Sequence, residues 1–128
     1  MTKIEAWITE WAYDYLRTWR KEGFSGINAV ERLRHDPGIS KNISGHKILW
    51  WPRNKRISKV SKAMHLIDEL SQACLIVKYG KPMSDDGIIL TGKDFVKSHN
   101  NLTYEEYRAR IREARRRLEE RLWGSRSH

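Results

Sequence analysis

Apolar residues recur at three- and four-residue spacing along two long stretches of the chain. In residues 2–22, Ile4, Trp7, Ile8, Trp11, Tyr15 and Trp19 fall on one side of a helix as a broad aromatic stripe. Thr2 and Glu5 have capping-box spacing at its start, and Gly23 supplies a stop. From about Ser58 to Tyr79, Val60, Ala63, Met64, Ile67, Leu70, Cys74 and Val77 repeat in the same way, and Gly80 closes the run. Its last turns, "ACLIV", are apolar almost all round, which predicts a central, buried position.

The remaining segments are shorter. "GINAVERLRHDPG" predicts a short helix with Ile27, Val30 and Leu33 on one side, ended by Asp36-Pro37-Gly38. No period is sustained from Ile39 to Ile57, where Trp50-Trp51-Pro52 is expected to anchor an irregular connection to the core. "GKPMSDDGIILTG" predicts a loop, with turn signals at Lys81-Pro82 and Asp86-Gly87. Next come a short helix, "GKDFVKSH", and a turn at Asn100-Asn101 able to adopt left-handed backbone angles. The final helix, "LTYEEYRARIREARRRLEERLW", carries Tyr107, Ile111, Ala114, Leu118 and Leu122 on one stripe, with Thr103 and Glu106 spaced as a second capping box. No run of period two is sustained. The expected fold is all-α, a single helical domain over residues 1–128 with four to five helices and a C-terminal helix-turn-helix. Residues 1–57 hold N-terminal helices and the irregular basic connection, 58–80 the central helix, and 91–123 the helix-turn-helix. The helices at 2–22 and 58–79 form the core.

Charge changes this picture. The chain has 128 residues, a formal charge of +9 and 32% charged residues, so it needs a polyanion, an anionic surface or an acidic partner. No apolar run reaches the roughly 18 residues of a membrane span, and "MTKIEAWITEW" lacks a basic segment leading into an apolar one. The expectation is a cytoplasmic protein without a membrane role. One cysteine, Cys74, excludes an internal disulfide and a cysteine-based zinc site. Within "ACLIV" it reads as a buried, inert thiol.

The arginine-rich final helix admits two readings. Glu and Arg at three- and four-residue spacing form weak pairs that stabilise a solvated face. Yet a short helix, a brief turn and a second helix with polar opening residues describe a helix-turn-helix, whose second helix puts its N-terminal side chains into the major groove. Tyr104, Glu105, Arg108 and Arg112 then face bases or adjacent backbone, flanked by Arg115 and Arg116, while Lys93 and Lys97 on the first helix meet phosphates. A second basic segment, with Arg53, Lys55, Arg56 and Lys59, suits nucleic-acid backbone or an acidic protein surface.

The stretch "FVKSHNNLTYEEYRARIREARRRLEERL" resembles the helix-turn-helix of bacterial sigma factors that reads the promoter −35 element. With "RNKRISKVSKAMHLIDELSQACLIVKYG" before it and "WITEWAYDYLRTW" at the start, the chain resembles the phage-type Q antiterminators. The resemblance implies a transcription antitermination factor that loads at a promoter, engages paused RNA polymerase and promotes terminator readthrough. Its implied partners are double-stranded promoter-region DNA and bacterial RNA polymerase with its sigma factor. Nascent RNA is a further candidate, and the implied setting is the nucleoid of a bacterial host cell. Asn100-Asn101 stands where that family's turn has glycine.

Three rivals remain at this stage. His35, His46, His65, His99 and His128 form no metal-ligand spacing, and Asp85-Asp86 followed by glycine reads as a turn. No phosphate-binding loop or nucleophile elbow is present, so the expectation is a protein that is not an enzyme and uses no cofactor or metal. A single-strand-binding or ring-forming module would use Trp50 and Trp51 beside the basic segment, because bases stack on exposed aromatics. A helix-turn-helix promoter-binding repressor or activator would begin with the same DNA contact as an antiterminator.

Overall fold

The computed structural model describes residues 2–21, 30, 55–98 and 101–124. Among them it contains five α-helices: α1 (Lys3–Lys21), α2 (Lys55–Ala63), α3 (Glu69–Leu75), α4 (Gly92–Lys97) and α5 (Tyr104–Trp123). The expected all-α domain is what folds. The described residues hold no strand, only an isolated bridge between Met83 and Ile89, and no helix long and apolar enough to cross a membrane. The predicted helix in "GINAVERLRHDPG", apart from buried Val30, and the Trp50-Trp51-Pro52 anchor lie outside the described residues.

α1 begins as its capping box requires. The Thr2 amide donates to Glu5 Oε1 at 3.1 Å, and the Glu5 amide donates to Thr2 Oγ1 at 3.3 Å. Ile4, Ile8, Trp11, Ala12, Tyr15 and Trp19 are buried, and Trp11, Tyr15 and Trp19 form a ladder with ring centroids about 6 Å apart. Trp7 lies at the rim of the stripe, packed against the core. It is half-buried and packs edge-on to Trp123 at 4.9 Å, with the Lys3 ammonium 4.7 Å from the Trp123 ring.

The predicted helix from 58 to 79 is corrected to two helices. α2 starts earlier, at Lys55, and passes into a 3-10 turn, Met64–Leu66; Ile67 is extended (φ −112°, ψ 130°), and Asp68 stands at the N-cap position of α3 without a side-chain capping bond. The Gln72 side-chain amide donates to the carbonyls of Met64 (3.1 Å) and Ile67 (2.8 Å), bridging the break beside the Ile67 amide, which also donates to the Met64 carbonyl (3.0 Å). Three- and four-residue spacing survives such a break, so Met64, Ile67, Ala73 and Cys74 all remain buried. The missed signal is Asp68-Glu69, the acidic pair of a new helix start.

α3 widens into a π-helical turn, Ile76–Gly80, packed on α1. Gly80 is needed for closeness rather than for a left-handed stop. A Cβ there would lie 2.8 Å from Leu16 Cδ1 and 3.1 Å from Ala12 Cβ, and the left-handed residue is the following Lys81 (φ 50°). Pro82 is fully buried and anchors a hairpin-like excursion. In it Leu90 N donates to the Pro82 carbonyl (2.8 Å), Ser84 N donates to the Ile88 carbonyl (2.9 Å), and Gly87 turns at φ 83°. The predicted turn at Asp86-Gly87 is therefore present, with Ile88 and Ile89 exposed beside it.

Candidate nucleic-acid interface

α4 starts at Thr91, whose hydroxyl accepts from the Asp94 amide (3.2 Å) and donates to Asp94 Oδ2 (2.9 Å). It ends at Ser98, and the chain reaches α5 through exposed Asn101 and buried Leu102. Among the described residues only Lys81 is a non-glycine at positive φ, so Asn101 does not take the expected left-handed angles; Asn100 lies outside those residues. Thr103 caps α5 by accepting from the Glu106 amide at 3.0 Å. The second capping box is only half made, because Glu106 turns to accept from Arg110 Nε (3.3 Å).

The two helices are joined by aromatic packing. Phe95 is wholly buried and lies 6.1 Å, centroid to centroid, from Tyr107 at an interplanar angle of 52°. Gly92 sits directly against the Tyr107 ring, where a Cβ would fall 2.6 Å from Cε2. Tyr104 stacks on Tyr107 from the outer side (5.6 Å, 26°) and stays 42% exposed. Burial raises the Tyr107 hydroxyl pKa above its ordinary range, so the ring remains neutral.

α5 sorts its arginines into three kinds. Two are clamps to the core. Arg110 Nη1 donates to Asp68 Oδ2 (3.0 Å) and Ser71 Oγ (3.1 Å), tying α5 to the start of α3. Arg115 Nη1 donates to Glu5 Oε2 (3.0 Å) and the Tyr79 hydroxyl (3.1 Å), joining α5 to α1 and the π-helical turn. Two more are matched on their own helix: Arg116 to Glu113 and Glu120, and Arg117 to Glu113. Those guanidiniums, Arg116 first, hold the Glu113 carboxyl down at about 2. Arg108, Arg112 and, in the last turn, Arg121 are the third kind, exposed and without an ion pair among the described residues.

These pairs already engage part of the expected surface. Arg115 points inward and is a structural clamp, because its position flanks the buried Ala114 and Leu118. Arg116 is exposed but doubly matched to glutamate. Tyr104, Glu105, Arg108 and Arg112 share the outward side of the first half of α5, and Lys93 and Lys97 are exposed on α4. Of the second basic segment, Arg53 lies outside the described residues; Lys55 and Lys59 are exposed, and Arg56 is bound to Glu10 (3.2 Å). Sequence spacing could not find the Arg110 and Arg115 clamps, whose partners lie 36 to 110 residues away. A groove of about 220 Å³ between α3 and α5 is lined by Asp68, Arg110, Glu113 and Arg117, all engaged in these pairs.

The Glu5 clamp carries a pH dependence. The Thr2 amide, then the Thr2 and Tyr79 hydroxyls and Arg115, lower the Glu5 carboxyl from 4.5 to about 2 against the opposing effect of burial. A depressed carboxylate stabilises the fold fully above its unfolded value, and that contribution is lost as pH falls from 4.5 towards 2. Glu5→Gln should be less stable than wild type at neutral pH and converge on it in acid. Urea midpoints at pH 7 and pH 2.5 check this, and parallel pH curves would remove Glu5 from the account.

Comparison with protein families, curated proteins and solved structures finds no match to this chain.

Proposed function

We propose that this chain binds double-stranded DNA through a helix-turn-helix formed by α4 and α5. The observation that carries the reading is the sorting of the α5 arginines. Arg110, Arg115, Arg116 and Arg117 are each matched by a carboxylate, while Arg108 and Arg112 are left free on its outward first half and Arg121 near its end. Arginine's fork suits the guanine edge in the major groove, and Lys93 and Lys97 suit flanking phosphates.

Within that class we propose a transcription antitermination factor that loads at a promoter, engages paused bacterial RNA polymerase with its sigma factor and promotes terminator readthrough. Its support is the resemblance of the sequence to the phage-type Q antiterminators, together with a second basic region on α2. Such a factor works in the cytoplasm of a bacterial host, at the nucleoid, with nascent RNA close by. The test is transcription on a template with a promoter-proximal pause and a downstream terminator. Readthrough that depends on the promoter sequence is the expected result. Promoter binding without readthrough by the host polymerase replaces the proposal with an ordinary repressor or activator.

A further inference from the structure

α2 has a closed face and an open one. Ile57, Val60 and Ala63 are buried against α1 and α5, and Arg56 is bound to Glu10 of α1. On the open face Lys55, Lys59 and Lys62 are exposed at i, i+4 and i+7, separated by roughly 6 and 4.5 Å of helix rise. None of the three has an ion pair among the described residues, and α2 contains no acidic residue. The contrast with α5, which carries glutamates for its own arginines, is direct. Like charges at this spacing repel along a helix, so the row is most stable with an external anion.

We propose that the α2 lysine row holds the sugar-phosphate backbone of a polynucleotide without regard to base sequence. This rests on the nucleic-acid-binding reading above and adds a second contact that is independent of α5's outward face. The chemistry favours phosphate over an acidic protein. Lysine is depleted at protein–protein interfaces, which need an apolar centre, and the exposed side of α2 consists of Lys55, Arg56, Lys59 and Lys62 alone. Flexible stems ending in compact charges meet phosphate oxygens with little geometric demand. The row stands on a different helix from the other basic region. α2 is anchored through Arg56 to Glu10, whereas α4 is anchored through Phe95 and Gly92 to Tyr107.

The phosphodiester can come from duplex DNA beside the recognised site or from single-stranded RNA, and counterion release separates the two. Full-length protein is titrated by fluorescence anisotropy, over a salt series, with a mixed-sequence RNA 20-mer and with a random-sequence DNA duplex. Three phosphate contacts contribute a log–log salt slope of about 2 on a single strand and about 2.7 on a duplex. The Lys55→Gln/Lys59→Gln/Lys62→Gln variant should lose that slope on the polymer the row holds. A Lys78→Gln/Lys81→Gln/Arg121→Gln variant, which removes the same charge elsewhere, should keep it. Unchanged slopes for the first variant on both polymers, or equal losses for the two variants, overturn the proposal. An Arg108→Ala/Arg112→Ala protein that still prefers cognate promoter DNA would instead sink the α5 reading and leave the row standing.

Discussion

Arg108→Ala/Arg112→Ala should bind its cognate promoter duplex more weakly by about 2–6 kcal/mol in total, at about 1–3 kcal/mol for each base-edge contact removed. It should also lose sequence preference at the contacted positions. Both side chains are exposed and free of ion pairs, so their removal leaves the core of α5 intact and the melting temperature close to that of wild type. Lys93→Ala or Lys97→Ala should weaken binding to all duplexes alike, each flattening the log–log salt slope by about 0.9. Arg115→Ala separates the two roles of the helix. It should lower stability, because Glu5 and the Tyr79 hydroxyl lose their shared donor. Competition binding with cognate and scrambled duplexes, beside thermal melts of each variant, checks the set. Normal cognate binding by the double arginine variant would mean that α5 does not read DNA.

The second large effect is on folding. Phe95→Ala should cost about 3–5 kcal/mol, the usual range for truncating a wholly buried phenylalanine. A domain of this size is typically stable by roughly 5–15 kcal/mol, so the loss is a large share of the total. Phe95 is the buried residue of α4, and its ring lies against Tyr107. Losing it detaches α4 from the first half of α5 while leaving the α1, α3 and α5 packing in place. Phe95→Leu should recover most of the stability, because it restores most of the volume. Urea unfolding followed by circular dichroism gives both numbers. A cost under about 1 kcal/mol for Phe95→Ala would show that α4 is not held by this contact.

How far the sequence could be read depends on whether each contact is local. α1, its capping box and the buried stripe of α5 rest on neighbours within one or two turns, and these were legible. The break at Ile67 was not, since helix–turn–helix and continuous helix give the same apolar spacing across Met64, Ile67 and Cys74. Gly80 was recognised as important for the wrong reason: its constraint comes from Ala12 and Leu16, almost seventy residues upstream. The same divide runs through the arginines. Spacing alone assigned Arg115 and Arg116 to one exposed set with Arg108 and Arg112, and only the fold shows Glu5 and Tyr79 waiting beneath Arg115.

The two clamps on α5 have a consequence for any partner that meets its first half. Arg110 is fixed to α3 and Arg115 to α1, so the helix can neither roll about its axis nor slide along it without breaking charge-assisted hydrogen bonds. A docking surface on such a helix is already ordered before contact. Association then loses little backbone entropy, and more of each contact's free energy appears as affinity. Releasing either clamp would turn a rigid template into a searching one, weakening binding without touching a single interfacial atom.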